Sequence, residues 1–301
     1  MSFQPFDFSR LTVLDGGMGS LIEELGYDTA STVAWSSGAN TVRPDLVVKA
    51  HSEFIKAGAE VIMTNTYQAN IKRLSHSMHQ EDAVEYVNKG VELAVKAAKK
   101  SDRPVHIVGS IGPFATFICD GSEYTGSYAN DPSFDLNLIH HNYETQARAL
   151  ANRGIRVLAF ETIPAIVEAS YARRDADRRV DHGPDHEHLA NGEKFVDFVR
   201  AVADSPFVRA IGINCTSPEN IRSLLLAAQP AAKGKPFVVY PNSGEVYDCT
   251  SKVFYGDVRV GKLVDELDEW VRLGVRLIGG CCRVMPEDLR KIADRVNELR
   301  K

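Results

Sequence analysis

Three cysteines are the residues whose types and spacing point most directly to chemistry. Cys281 and Cys282 are neighbours, and they follow two glycines at the end of the apolar run Val275–Ile278. Cys215 ends another apolar run, residues 210–214, earlier in the chain. A catalytic zinc site uses three protein ligands, often thiolates, and leaves a fourth position for a substrate. Three converging thiols would therefore form an open zinc site.

The backbone around the adjacent pair must turn if both thiols are to reach one ion. Neighbouring side chains of a straight strand point to opposite faces, so Cys281 and Cys282 need the conformational freedom of the preceding glycines. Two other roles are open, because cysteines are common small core residues and adjacent cysteines can form a vicinal disulfide. Cys119 and Cys249 have no comparable surroundings, and we expect them to be bystanders.

The charge of three thiolates determines which reaction such a site favours. With Zn²⁺ they give a complex of net charge about −1, which activates water weakly but still binds and deprotonates an incoming thiol. A free thiol has a pKa of about 8.5 and is mostly protonated at neutral pH. Because coordination keeps the sulfur as a nucleophilic thiolate, the ligand set predicts alkylation of a substrate thiol.

Short apolar strands alternate with amphipathic helices along the chain. Consecutive apolar positions are typical of strands covered on both faces, and they predict strands at 11–14, 60–64, 105–109, 156–160, 208–213, 237–240 and 275–278. Helical periodicity predicts helices at 44–57, 82–99, 134–152, 194–203, 218–228, 260–273 and 286–299. Three of these helices are followed by a glycine that suits the left-handed C′ position, namely Gly58, Gly154 and Gly274.

This alternation predicts an α/β protein with a parallel sheet. With one strand missed, the count gives a (β/α)8 TIM barrel. An open, doubly wound sheet is the alternative, but a closed barrel brings the strand before Cys215 and the strand before Cys281 to one site. The missing fifth strand must lie between Thr162 and Phe207 in a polar stretch. We expect it to be irregular or shortened, near residues 178–181.

Composition excludes several classes of function. The chain is 44% hydrophobic and 25% charged, with a net charge of −5 and no basic block, so a small-molecule substrate is favoured over nucleic acid. There is no apolar run of about 18 residues that would predict a membrane span, and the N-terminus lacks a secretory signal. We expect a cytoplasmic protein, folded as a single domain over residues 1–301, with its five cysteines reduced.

Eight short motifs, in order along nearly the whole chain, make the sequence similar to a known family. They are LDGGM (14–18), TNTYQA (64–69), GSIGP (109–113), DGSEY (120–124), FET (160–162), GINC (212–215), YPNSGE (240–245) and GGCCR (279–283). The chain resembles the zinc-dependent homocysteine S-methyltransferases, a family of (β/α)8 barrels. The pair GINC and GGCCR is the most specific part of this resemblance.

The resemblance implies roles for individual residues. Cys215, Cys281 and Cys282 would hold Zn²⁺, and the sulfur of homocysteine would complete the tetrahedron. Asp15 and Glu161 would receive the ammonium group of homocysteine, because carboxylates pair with charged amines.

Three further positions are implied at the same rim. Backbone N–H groups around Gly16 would bind the carboxylate of homocysteine, and Tyr67 and Asn214 would flank the substrate. Taken without the resemblance, Asp15 is equally well explained as a turn residue, and Glu161 as an acid near a helix N-terminus. A tyrosine or asparagine taken alone is more often structural.

The resemblance also implies a methyl donor. The YPNSGE segment is similar to the branch that uses S-methylmethionine or S-adenosylmethionine, sulfonium compounds whose methyl group is already activated. Aromatic side chains stabilise such cations, and the candidates are Trp35, Tyr124 and Tyr128. The predicted reaction transfers the methyl group to L-homocysteine and produces methionine. The alternatives are a betaine-type homocysteine methyltransferase and a catalytically impaired barrel that acts only as a binding protein.

The chain departs from the family at the fifth strand. A polar stretch stands where the family carries an apolar strand, before the segment DHEHLANG (185–192). This departure predicts a locally open barrel wall. His182, His186 and His188 lie in the same polar loop, where we expect them to be solvated rather than to form a second metal site.

Overall fold

The computed structural model describes residues 6–131, 135–172, 177–181, 187–248, 253–256, 258 and 260–301. Its strands are β1 (Thr12–Val13), β2 (Val61–Met63), β3 (His106–Ile111), β4 (Leu158–Ile163), β5 (Asp177–Asp181), β6 (Ile211–Asn214), β7 (Phe237–Tyr240), β8 (Val246–Asp248), β9 (Val253–Tyr255) and β10 (Val275–Ile278). Its α-helices are α1 (Met18–Glu24), α2 (Ala39–Val42), α3 (Pro44–Ala57), α4 (Ile71–Leu74), α5 (Gln80–Ala98), α6 (Ala115–Ile118), α7 (Leu136–Asn152), α8 (Ile166–Ala172), α9 (Phe195–Ala203), α10 (Pro218–Ala228), α11 (Val260–Arg272) and α12 (Pro286–Leu299).

Eight of these strands form one parallel sheet. Their order is β1-β10-β7-β6-β5-β4-β3-β2, while β8 and β9 form a separate antiparallel hairpin. Although β1 and β2 stand at opposite ends of this order, the amide of Glu60, just before β2, donates to the carbonyl of Val13 in β1 at 2.8 Å. The predicted α/β class with a parallel sheet is confirmed, and the two end strands lie side by side.

The predicted fifth strand is present. β5 pairs with β4 on one side and with β6 on the other, both in parallel. It has five residues, so it is not shorter than the four-residue β6. The predicted irregularity is seen as a register shift in the pairing with β4, between Phe160 and Ile163. Of the histidine cluster, His182 and His186 lie outside the described residues.

Helix α3 shows why several helix bounds could be predicted. Pro44 occupies the first turn, where its missing N–H costs nothing, and Asp45 complements the positive end of the helix. The helix ends before Gly58, whose φ of +122° is a conformation that favours glycine. Its apolar face, which includes Phe54, is buried in the main core between helices and sheet.

A second, smaller core, separate from the main one, is formed mainly by residues of the sheet. It consists of buried side chains at or next to seven of the strands, which pack together with Phe6 and Phe8 from the N-terminal segment: Leu14, Val61, Met63, Val108, Ala159, Ala210, Val238, Tyr240 and Leu277. A packed interior of this kind is typical of barrels with parallel strands. The described helices include none that is both long and apolar enough to cross a membrane.

Candidate active site and metal centre

The three cysteines predicted to bind zinc meet at one point. Their Sγ atoms all lie within 4.8 Å of one another, although Cys215 follows β6 while Cys281 and Cys282 follow β10. The Sγ atoms of Cys281 and Cys282 are 3.8 Å apart, and those of Cys215 and Cys281 are in direct contact. The fold therefore brings the ends of two strands, far apart in the sequence, to one cluster of three sulfur atoms.

Glycines before the cysteine pair allow a close approach of three loops. A Cβ atom at Gly279 would lie 2.6 Å from the carbonyl oxygen of Asp15 and 2.6 Å from Cε2 of Tyr240, too close for any side chain. The amide of Gly280 donates to that same Asp15 carbonyl at 3.1 Å. The glycines thus place the cysteine loop directly against the loop that follows β1.

The segment after β7 connects the two cysteine loops. The carbonyl of Tyr240 accepts from the amide of Cys215 at 3.2 Å, and that of Pro241 accepts from the amide of Cys281 at 2.7 Å. The amide of Ser243 donates to the carbonyl of Cys282 at 3.1 Å. Cys215 itself has a φ of +51°, an unusual backbone conformation that the neighbouring loops maintain.

The carboxylate of Glu245 fixes the C-terminal end of the segment that follows β7. The buried carboxylate of Glu245 accepts hydrogen bonds from the hydroxyl of Ser243 at 2.8 Å and from Nε of Arg283 at 3.2 Å. Arg283 directly follows the cysteine pair and has a φ of +64°. The motifs YPNSGE and GGCCR therefore act as one structural unit that holds the sulfur atoms in place.

The sulfur cluster fits a soft metal ion. Zn–S bonds of about 2.3 Å place two sulfurs of a tetrahedral site about 3.8 Å apart, which is the separation of the Sγ atoms of Cys281 and Cys282. Thiolates select soft ions such as zinc over magnesium or calcium. The three cysteines can thus hold a metal ion of this type.

The two predicted ammonium-binding carboxylates face the same cavity and are both held in position. Asp15 is 1% exposed, and its carboxylate accepts from the amide of Met63 at 2.8 Å and from the hydroxyl of Tyr240 at 2.8 Å. Glu161 is 5% exposed and accepts from the hydroxyl of Ser110 at 2.6 Å. These hydrogen bonds orient both carboxylates.

The cavity has a volume of about 460 Å³ and contains nearly all of the predicted site. Its wall includes seven of the eight predicted residues, namely Asp15, Gly16, Tyr67, Glu161, Cys215, Cys281 and Cys282. Asn214 does not line it, because its fully buried amide donates to the hydroxyl of Thr162 at 3.0 Å. Asn214 thereby supports the backbone beside Glu161, where Thr162 has a φ of +60°.

Several residues of the cavity were not predicted from the sequence, and others were predicted to have a different role. Tyr240 and Ser110 lie within recognised motifs, but no local signal indicated that they contact the two carboxylates. Cys119, which we expected to be a bystander, lines the cavity, and burial raises the pKa of its thiol. Trp35 and Tyr124 line it as well, whereas the hydroxyl of Tyr128 donates to the buried Glu168 outside it.

Comparison with known proteins identifies the family. A family model described as homocysteine S-methyltransferase matches residues 12–296. Homocysteine S-methyltransferase 2 of Zea mays is 32% identical over 95% of this chain and 90% of its own length. Betaine-homocysteine S-methyltransferase of Drosophila melanogaster is 31% identical, with 97% of each chain covered.

The fold is also similar to that of a solved structure, the homocysteine methyltransferase MmuM from Escherichia coli in its metallated form. The TM-score is 0.80 at 29% sequence identity, and the match covers 95% of this chain and 96% of that one. An oxidized form of MmuM matches equally well. With its family model, its relatives and its fold in agreement, this chain belongs to the homocysteine S-methyltransferase family.

Proposed function

We propose that this enzyme transfers a methyl group from a sulfonium donor, S-methylmethionine or S-adenosylmethionine, to L-homocysteine and produces methionine. One observation carries the proposal. Three sulfur atoms and two oriented carboxylates line the same cavity, so a thiol and an ammonium group of one small molecule can be bound together. Homocysteine carries both groups on a short chain.

Cys215, Cys281 and Cys282 are the proposed zinc ligands. When bound, the ion supplies a Lewis acid that lowers the pKa of a coordinated substrate thiol. Asp15 and Glu161 would receive the ammonium group of homocysteine. The contacts of Asp15 with Tyr240 and the amide of Met63 support this role, because they fix its carboxylate before substrate arrives.

In the proposed reaction, the homocysteine sulfur forms a bond to the methyl carbon of the donor while the bond between that carbon and the sulfonium sulfur breaks. The electron pair of the broken bond stays on the donor sulfur, which becomes a neutral thioether. The proton of the homocysteine thiol is released to solvent. Because the methyl group is already activated, the protein's main contribution is to align the two sulfurs with it.

We further propose that the eight strands close into a barrel and that residues 1–301 act as one cytoplasmic domain. The hydrogen bond from the amide of Glu60 to the carbonyl of Val13 supports closure, since it joins the two end strands of the sheet. A reducing compartment suits the proposed thiol chemistry, because thiolates persist there. The proposed partners are the two small-molecule substrates.

A panel of donors tests the proposed reaction. The purified, reduced enzyme is supplied with zinc and L-homocysteine, and methionine formation is measured with S-methylmethionine, S-adenosylmethionine or betaine. We expect transfer from at least one sulfonium compound and loss of that transfer when zinc is chelated. The betaine-homocysteine relative is about as similar to this chain in sequence as the other relatives are. Activity with betaine alone would therefore establish the betaine-type alternative instead.

Replacement of one proposed zinc ligand gives the second prediction. Cys281→Ser should lower bound zinc from about one equivalent to less than about half, because a hydroxyl is a poor substitute for a thiolate. Methyl transfer should fall with it. The matched control is Cys119→Ser, which removes a thiol from the same cavity and should keep its zinc. Full zinc and full activity in Cys281→Ser would contradict the ligand assignment.

The alternative of a binding protein without catalysis is tested by the same metal analysis. The polar sequence around the fifth strand motivates this alternative, while the pairing of β5 on both sides is evidence against an open wall there. Substoichiometric zinc in the reduced wild-type protein, with no methionine formed from any donor, would support it.

A further inference from the structure

The active-site cavity is lined by acidic side chains and, among the described residues, by no lysine, arginine or histidine. Its five carboxyl groups belong to Asp15, Glu23, Asp120, Glu123 and Glu161. A cavity with charges of one sign concentrates molecules of the opposite sign. Two of these groups, those of Asp15 and Glu161, are needed for the ammonium group of homocysteine, so the charge of the other three is unexplained.

Glu123 is distinct among the remaining three. The carboxylate of Glu23 accepts from the hydroxyl of Thr29, and that of Asp120 accepts from the amide of Ser122 at 2.9 Å. The carboxylate of Glu123 accepts a hydrogen bond from its own backbone amide, and within the described ranges it pairs with no cationic side chain. Burial raises the pKa of Glu123, against the hydrogen bond from its own amide, and the charge of nearby Asp120 adds to the rise.

A desolvated carboxylate without a positively charged partner favours a cation in the space that it faces. The sulfonium donors carry two cationic groups, the sulfonium and an α-ammonium, whereas betaine carries a quaternary ammonium without any N–H donor. Trp35 and Tyr124 line the same cavity, and aromatic faces attract a sulfonium and a quaternary ammonium alike. The two donor classes therefore differ chiefly in the α-ammonium, whose N–H groups can donate to a carboxylate as no group of betaine can.

We propose that Glu123 binds the α-ammonium group of the sulfonium donor and thereby selects an amino-acid sulfonium over betaine. This inference rests on the function proposed above and adds a specificity residue to it. Glu123 belongs to the loop after β3, whereas the carboxylates assigned to homocysteine belong to the ends of β1 and β4. The ammonium group of the methyl donor and that of homocysteine would thus be bound by different elements.

The test compares S-methylmethionine with its deamino analogue, 4-(dimethylsulfonio)butanoate, as donors. We expect the wild-type enzyme to prefer S-methylmethionine in kcat/KM by about 10- to 100-fold, the value of one hydrogen bond to a charged group. Glu123→Gln should lose this preference by lowering kcat/KM for S-methylmethionine alone. The control Glu24→Gln removes the same charge from the exposed residue beside Glu23, outside the cavity, and should retain the preference.

A binding measurement without turnover provides the second readout. Calorimetric titration with S-methylmethionine should show weaker binding to Glu123→Gln by the same factor, with homocysteine binding unchanged. Equal losses for both donors would show that Glu123 only maintains the loop, and an unchanged preference would show that it has no part in donor recognition. If the wild-type enzyme uses no sulfonium donor at all, the proposed function itself fails.

Discussion

Tyr240 connects the cysteine cluster with Asp15, the two parts of the site that we propose bind zinc and homocysteine. Its carbonyl accepts from the amide of Cys215, and its hydroxyl donates to Asp15 at 2.8 Å. The hydroxyl also lies 3.0 Å from the carbonyl oxygen of Gly16. The side chain of Tyr240 therefore fixes the carboxylate proposed to bind homocysteine, while its backbone holds Cys215, a proposed zinc ligand.

Removal of this hydroxyl should weaken homocysteine binding without loss of metal. Tyr240→Phe should raise the KM for homocysteine by about tenfold, because a hydrogen bond to a charged group contributes about 1.5 kcal/mol or more. Zinc content should remain unchanged, because the backbone contact to Cys215 persists. Tyr255→Phe, at an exposed tyrosine of the β8–β9 hairpin, is the control. A KM equal to that of the control would contradict the proposed role of the Tyr240 hydroxyl.

The sequence located the candidate site residues better than the residues that position them. The cysteines, Asp15 and Glu161 were identified because motifs contain them, and seven of the eight predicted residues line one cavity. The contact between Tyr240 and Asp15 joins residues 225 positions apart, so no local pattern could indicate it. Asn214 was placed at the rim because it precedes Cys215, but its amide is used internally by Thr162.

At the scale of elements, one carboxylate anchors the long loop after β3. Glu168 in α8 is fully buried and accepts from the amide of Phe114 at 2.6 Å and from the hydroxyls of Tyr128 and Tyr143. Burial raises the pKa of Glu168, and the three hydrogen bonds oppose that effect. The loop held in this way carries Glu123, so the donor side of the cavity depends on α8.

Loss of this anchor should destabilise the fold and loosen the loop. Glu168→Ala leaves three buried donors without an acceptor, at about 1–3 kcal/mol each when no water replaces it. We expect the free energy of unfolding in urea to fall by about 3 kcal/mol or more. Glu168→Gln, which retains one carbonyl acceptor, should lose less. Equal losses for the two variants would indicate that side-chain volume, rather than hydrogen bonding, determines the effect.

Helices with strong end signals were predicted closely, whereas polar or very short elements were harder to predict or were missed. The bounds of α3, α10 and α12 match the predictions, since each begins with a proline in its first turn. β5 was located near residues 178–181 only because a barrel needs a strand there, as its sequence is polar. The hairpin of β8 and β9 was missed, because three-residue strands are too short to show a period.

At the scale of the whole molecule, the ends of the chain are tied to the sheet. Arg300, next to the end of α12, donates to the carbonyl of Leu11 and pairs with Glu60, which also pairs with Arg10. The backbone contact between the end strands lies beside this cluster. The βα alternation predicted the layers and the parallel sheet, but contacts between the first and last elements depend on the completed fold.

Acid sensitivity of the whole fold should depend on His51. This residue of α3 is fully buried, and neither of its ring nitrogens has a hydrogen-bond partner among the described residues. Burial lowers the pKa of His51 from 6.5 to about 3, because the charged ring would lose its hydration. Its contribution to stability is therefore complete above about pH 6.5 and is lost as the pH falls towards 3.

The difference between wild type and His51→Leu isolates this contribution, because other titrating groups are common to both proteins. From pH 7 to pH 5, the free energy of unfolding should fall by about 2 kcal/mol more in the wild type than in the variant. Urea titrations with reductant and a zinc chelator at each pH measure it, since chelation removes the pH dependence of metal binding. Parallel pH profiles for the two proteins would show that His51 is already charged, or hydrated, in the folded state.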